Sequence, residues 1–321
     1  MMTKFTKTIL SAAMLCCVAG TAHAAWPERA ITMIVPFAAG GSTDATARMV
    51  AEKLGTELGT QVVVENRPGA GSNIGAAAAA RSTPDGYTLL LASSTIATNA
   101  TLYKNPGFDL RKDLIPVSQI ALIPNVLVVN NDVPAKDLKS FVAHVKNDKN
   151  HVYYGSAGSG SSQHLSGALF NTMVNGTMTH VPYKGGAPAN MDLLAGQIQA
   201  VFSPLSEVLP HIDAGKLRAL GVTTKDRSTR LPDVPAIGEE LPGFEIALWN
   251  AIFVPTGTPQ EIVDKLGSAV GKVTEDPDFR KTLAEQGIVP VGSTPAEFKT
   301  YLASEIEKWG KLVEISGAKV D

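Results

Sequence analysis

Ile31-Thr32-Met33-Ile34-Val35-Pro36-Phe37-Ala38-Ala39-Gly40-Gly41-Ser42-Thr43-Asp44 reads as a strand, a turn and the start of a helix. The apolar run Ile31 to Val35 suits a strand covered on both faces, and Pro36, which has no N–H, ends its ladder. Gly40 and Gly41 allow a tight turn with exposed amides, and Ser42, Thr43 or Asp44 can cap the helix that follows. A helix start of this kind offers unpaired backbone N–H groups and the positive end of the helix dipole, which attract an anion such as a carboxylate. An ordinary strand-to-helix connection has the same pattern, so this stretch leaves both readings open.

Working outward, Val50, Leu54 and Leu58 form the apolar stripe of an amphipathic helix that Gly59 stops. Gln61 to Glu65 is a second strand, Asn66 to Gly71 a turn, and Ser72 or Asn73 can cap an alanine-rich helix through Ala80. The strand Tyr87 to Ala92 ends in Ser93-Ser94-Thr95, a polar cluster at the strand edge where open parallel sheets bind ligands. Lys104 to Pro116 reads as irregular, and Asn125 to Asn130 as a strand carrying the chain into a second domain. There the opening pattern recurs: the strand Val152 to Tyr154, the small-residue turn Gly155 to Ser162, and a helix near Gln163 to Met173. Tyr183 follows another strand-to-loop junction, and Ser203-Pro204 ends the strand Ile198 to Phe202. Phe244 to Val254 crosses back to the first domain. Thr258-Pro259-Gln260-Glu261 and Thr294-Pro295-Ala296-Glu297 both read as capping-box helix starts. This alternation of strands and helices predicts an α/β, mostly parallel architecture.

Residues 1–24 carry a leader: Lys4 and Lys7 form a positive end, Ile9 to Val18 an apolar core, and Ala22-His23-Ala24 a small-x-small cleavage site. No Leu-small-small pattern precedes Cys16 or Cys17, so lipidation is not expected. The only two cysteines leave with the leader, and the exported chain has neither a disulfide nor a thiol nucleophile. The formal net charge of −2 becomes more negative without Lys4 and Lys7, which gives no support for binding nucleic acid or anionic membranes.

Three enzymatic or metal chemistries have partial signatures in the chain. Gly69-Ala70-Gly71-Ser72-Asn73-Ile74-Gly75 follows a strand and opens a helix, but it is one residue longer than a dinucleotide fingerprint and lacks the acid about twenty residues on. A tight turn with close helix–sheet packing explains it better. The Gly155 to Ser162 loop is rich in serine, yet it is not in Gly-x-Ser-x-Gly order and no acid completes a triad. His164 reads as a residue that orders this loop or meets a ligand as a neutral donor. His144, His151, His180 and His211 show no metal-ligand spacing and read as structural or solvated, and no metal or cofactor is expected.

Several motifs together resemble the Bug family of periplasmic receptors of tripartite tricarboxylate transporters. They include Val35-Pro36-Phe37 with Gly40 to Asp44, Val62 to Gly71, Pro84 to Leu89, Tyr154 to Gly158, Val181-Pro182-Tyr183-Lys184-Gly185, Gly215 to Leu220 and Leu231 to Pro235. The resemblance implies a two-domain, type II-like periplasmic binding protein that closes on its ligand like a flytrap. Residues 25–126 and 248–321 would form the first domain and residues 127–247 the second. It implies a monomer in the periplasm, no catalytic residues, a small organic carboxylate as ligand and a membrane permease as partner. The carboxylate would sit between Phe37, Ala38, Ala39, Gly40, Gly41, Ser42 and Asp44 on one side and Ser156, Ala157, Gly158, Ser159, Gly160, Ser161, Ser162 and His164 on the other. Ser93, Ser94, Thr95, Tyr183 and Ser203 would read the rest of the ligand. Many family members resemble Met-Phe-Asp-Asn where this chain has Val201-Phe202-Ser203-Pro204. Without an acid there, the expected ligand is a carboxylate that lacks an amino group. An exported serine hydrolase and a ligand sensor for a membrane kinase remain as alternatives.

Overall fold

The computed structural model describes residues 26–320, so the leader lies outside the described residues. The chain opens with β1 (Ile31–Val35), α1 (Ser42–Leu58), β2 (Val62–Asn66), α2 (Asn73–Ala80), β3 (Thr88–Ser93), α3 (Thr95–Leu102) and the 17-residue β4 (Leu114–Asn130). A second run follows: α4 (Leu138–Val145), β5 (Tyr153–Ser156), α5 (Ser162–Val174), β6 (Thr179–Pro182), α6 (Gly186–Leu194), β7 (Ala200–Pro204), α7 (Leu205–Asp213), β8 (Leu217–Val222) and α8 (Ile237–Glu240). The chain returns through β9 (Ala247–Pro255) to α9 (Gln260–Glu275), α10 (Pro277–Glu285), β10 (Val289–Pro290) and α11 (Pro295–Ser316).

The strands form one continuous sheet in the order β2-β1-β3-β9-β4-β7-β5-β6, with β8 and β10 also paired to β4. Parallel pairs lie at both ends, β2-β1-β3 and β7-β5-β6, as the alternation of strands and helices requires. The antiparallel β4 and β9 join them. From Leu114 to Pro124, β4 pairs with β9; from Asn125 onward it pairs with β7 and β8. Proline, which donates no ladder hydrogen bond, stands where the strand exchanges partners.

Each end of the sheet is covered on both faces. Val50, Leu54, Val263 and Leu266 pack with Ile31 and Met33 on one face of the first end, and Ala76, Ile96, Phe298 and Trp309 with Ile34 and Leu90 on the other. At the second end Phe141, Phe170 and Phe202 fill one side, and Leu193, Val201 and Leu205 the other. This is the α/β architecture that the sequence predicts, completed by two crossing strands.

Some local expectations are corrected. Helix α3 starts at Thr95, expected to end a strand edge, and fills the gap before the irregular segment expected from Lys104, a stretch where the sequence predicts no helix. It carries no charged residue and is held by burial of Ile96, Ala97 and Leu102 rather than by an amphipathic stripe. Strand β4 starts eleven residues before Asn125, where Pro116 and the polar Ser118 and Gln119 hide it at two irregularities of register. Only one of the two capping boxes forms: Thr294 accepts from Glu297 N–H and Glu297 accepts from Thr294 N–H. The Thr258 hydroxyl donates to Pro255 O instead, and α9 starts without a side-chain cap.

Candidate functional site

The first turn is built from the inside. Residues Ala38 to Gly41 are exposed, Gly40 has a φ of +91°, and Gly41 is the N-cap of α1 with no side-chain cap. Asp44, expected among the ligand contacts, is instead turned inward at 2% exposure. Its Oδ2 accepts from Gly40 N–H at 2.9 Å and from Arg48 Nε at 3.0 Å, and its Oδ1 from Asn66 Nδ2 at 2.9 Å. Burial alone would raise this carboxyl, but the Gly40 amide, the guanidinium and the Asn66 amide outweigh it and hold it below the usual range. Both oxygens are therefore occupied, and Asp44 shapes the loop. Asn66 Nδ2 also donates to Phe37 O at 3.0 Å, which fixes the exit from β1.

The second turn is built the same way. Ser156 ends β5 fully buried; its Oγ accepts from Gly158 N–H at 3.1 Å and shares a hydrogen bond of 2.6 Å with His180 Nε2. Gly160 N–H donates to His164 Nδ1 at 3.1 Å, and Ser161 caps α5 by accepting from His164 N–H. The His164 and His180 rings stack at 3.9 Å. Burial pushes His164 down to about 4 and His180, with the His164 charge adding to burial, down to about 3, so both rings are neutral. His164 orders the loop, as expected; His180, expected to be structural or solvated, is part of the same turn. It lies on β6, and nothing in its spacing reveals a partner 24 residues earlier. A buried serine beside a histidine is half of a hydrolase, but the bonds place this pair in loop support, with Ser156 Oγ turned to the Gly158 backbone.

The remaining predicted residues are placed as follows. Ser93 Oγ and Thr95 Oγ1 bond each other at 3.1 Å at the start of α3. Ser94 and Ser203 are buried, and their hydroxyls have no partner among the described residues. The Tyr183 hydroxyl is engaged with α6, donating to Asp192 Oδ2 at 2.7 Å. Ala157, Gly158 and Ser159 form the accessible rim of the second turn, and Ser162 is buried in the first turn of α5.

The sequence reading missed contacts that join the two turns and one that braces the first. Glu207, on the first turn of α7, lies near Ser42 at the start of α1 and accepts from Asn190 Nδ2 at 3.4 Å. Gly160 lies against α3 so closely that a Cβ there would stand 2.3 Å from Leu102 Cδ2. Asn250 on β9 donates to Thr43 Oγ1 at 3.2 Å. Asn250 was legible in principle as the one amide in an otherwise apolar strand; Glu207, in a helix rich in polar residues, was not. Among the described residues no group of three or more His, Cys, Asp and Glu side chains could hold a metal ion, and no helix is long and apolar enough to cross a membrane.

Residues 46–318 match the family model described as the tripartite tricarboxylate transporter family receptor. BugT of Bordetella pertussis is 39% identical over 298 residues, spanning 92% of this chain and 91% of that protein. Among solved structures, R. palustris Rpa4515 with adipate superposes with a TM-score of 0.86 at 35% identity, covering 92% of this chain and 100% of that one. MatC from Rhodopseudomonas palustris with bound malate gives 0.81 at 31%, covering 90% and 100%. The chain therefore belongs to the tripartite tricarboxylate transporter receptor family, the Bug proteins, which are solute-binding receptors and not enzymes.

Proposed function

We propose that this protein captures a small organic carboxylate in the periplasm and delivers it to the permease of a tripartite tricarboxylate-type transporter. In this reading residues 25–126 with 248–321 and residues 127–247 are two domains, and the ligand carboxylate is held by amides and hydroxyls of Phe37 to Ser42 and Ser156 to Ser162. The observation that carries it is the pairing of two small-residue turns, each braced from behind and each opening a long helix, from opposite ends of one sheet. Helix starts bind anions without a buried cation, and amides from both sides make ligand binding and closure one event. The exchange of partners at Pro124 and Asn125 in β4 supports a hinge there, with β9 as the return crossing. Adipate and malate in two relatives support the ligand class. The protein acts as a monomer after its leader is removed.

A thermal-shift screen of organic acids tests this. A ligand at about 100 times its Kd adds roughly 2.7 kcal/mol to the folded state, a readily measured rise in Tm. No stabilisation by any mono-, di- or tricarboxylate would overturn the reading.

A further inference from the structure

We propose that Glu207, with Asn190 and Gln163, forms a subsite for an ammonium group, so that the ligand is an α-amino acid rather than a simple carboxylic acid. The inference rests on the receptor reading above and names the chemical class of its ligand.

The three side chains come from the first turns of α5 and α7 and the middle of α6, and converge near Gly186. A Cβ on Gly186 would stand 2.5 Å from Glu207 Oε2 and 3.0 Å from Gln163 Nε2, so glycine leaves the room that these two side chains occupy. Asn190 Nδ2 donates to Glu207 Oε2 at 3.4 Å, which puts its own Oδ1 one amide away from the carboxylate. Gln163 is 2% and Asn190 5% exposed, yet Gln163 Oε1 and Asn190 Oδ1 have no hydrogen-bond partner among the described residues. Buried acceptors without donors are costly, and a molecule that brings N–H groups would satisfy them.

Charge points the same way. Glu207 makes no ion pair among the described residues. Burial raises its carboxyl, against the opposing pull of Ser42 and Asn190. A half-buried carboxylate whose only neighbouring donors, Ser42 and Asn190, are neutral lacks a counter-ion, and three acceptors of which one is anionic match the three donors of a primary ammonium. Position completes the argument. Glu207 faces Ser42, at the first turn of α1 where the ligand carboxylate is placed, so the group it meets is a substituent close to that carboxylate. The acid expected at Ser203 for an amino-acid ligand is thus supplied four residues later by the following helix.

The test is calorimetry of the full chain against matched pairs: glutamate with glutarate, aspartate with succinate, and phenylalanine with 3-phenylpropionate. We expect one ammonium-bearing member to bind about tenfold or more tighter than its partner, and Glu207→Gln to remove that preference while the des-amino acid still binds. Asn190→Ala, which keeps the carboxylate, should reduce the same ratio by less and covers the case in which Glu207→Gln fails to fold. If the wild-type chain binds the des-amino acids as well or better, or if both variants keep the ratio, the ammonium subsite is wrong and the receptor reading stands. If neither series binds, both fall.

Discussion

Gly75 shows how much one missing side chain can contribute. A Cβ there would lie 2.7 Å from Arg67 O and 2.8 Å from Pro36 Cβ, so α2 rests directly on the turn that leaves β1. The glycine-rich run Gly69 to Gly75 is a packing device, as its length and missing acid suggest. Gly75→Ala should destabilise the protein by about 1–3 kcal/mol, measured by urea unfolding; no change would mean that α2 can move off Pro36 without cost. The stacked histidines make a second prediction. A histidine whose folded pKa is depressed contributes stability that is present above its unfolded pKa of 6.5 and lost as pH falls toward the folded values of about 4 and about 3. Folding free energy should therefore decline between pH 6.5 and 4. His164→Asn, which keeps an acceptor near Gly160 N–H, should flatten that slope. An identical slope in the variant would show that the pair does not carry the linkage.

Among the elements, α11 most clearly ties distant parts of the chain together. Its Glu305 is 3% exposed and accepts from Trp249 Nε1 at 2.8 Å and Trp309 Nε1 at 2.6 Å, pinning the last helix to the crossing strand β9. Glu305→Ala would strand two buried indole donors and should cost about 3 kcal/mol or more in chemical denaturation. A loss under 1 kcal/mol would require water to replace both bonds. At the start of the same helix, Thr294→Ala should cost about 1 kcal/mol through loss of the capping box. Periodicity exposes amphipathic helices such as α9 and α11 because one face meets water. It fails for α3, whose buried Ile96, Ala97, Thr98 and Asn99 follow one another around the helix.

Taken as a whole, the molecule joins its two ends through β4 and β9 and brings them face to face at Ser42 with Glu207 and at Leu102 with Gly160. The second contact leaves no space: Gly160 has a φ of +80° and sits against the tip of Leu102. If the two turns close on ligand as proposed, Gly160→Ala should hinder that closure and weaken ligand binding by roughly tenfold, and adding Leu102→Ala should restore part of the loss. Calorimetry measures the affinity, and small-angle scattering the ligand-induced decrease in radius of gyration. Equal affinity in Gly160→Ala and wild type would mean that the loop is not part of the closing surface.

Alternation of apolar runs with capped helices was enough to specify an α/β chain, because strand and helix periods are local properties of neighbouring residues. The two small-residue turns were legible for the same reason: Gly40-Gly41 and the Gly155 to Ser162 run announce their backbone shape in their composition. The motifs they anchor also carried the family. What required the folded chain were pairings between residues far apart in sequence. Asp44 turned from ligand contact to loop brace because Asn66 and Arg48 converge on it, and the Tyr183 hydroxyl is taken by Asp192. Glu207 became a site residue only because α7 and α1 meet across the sheet's two ends. Whether a carboxylate stands free in water or beside buried, unpartnered acceptors depends on which helices are brought together, and no local pattern encodes that.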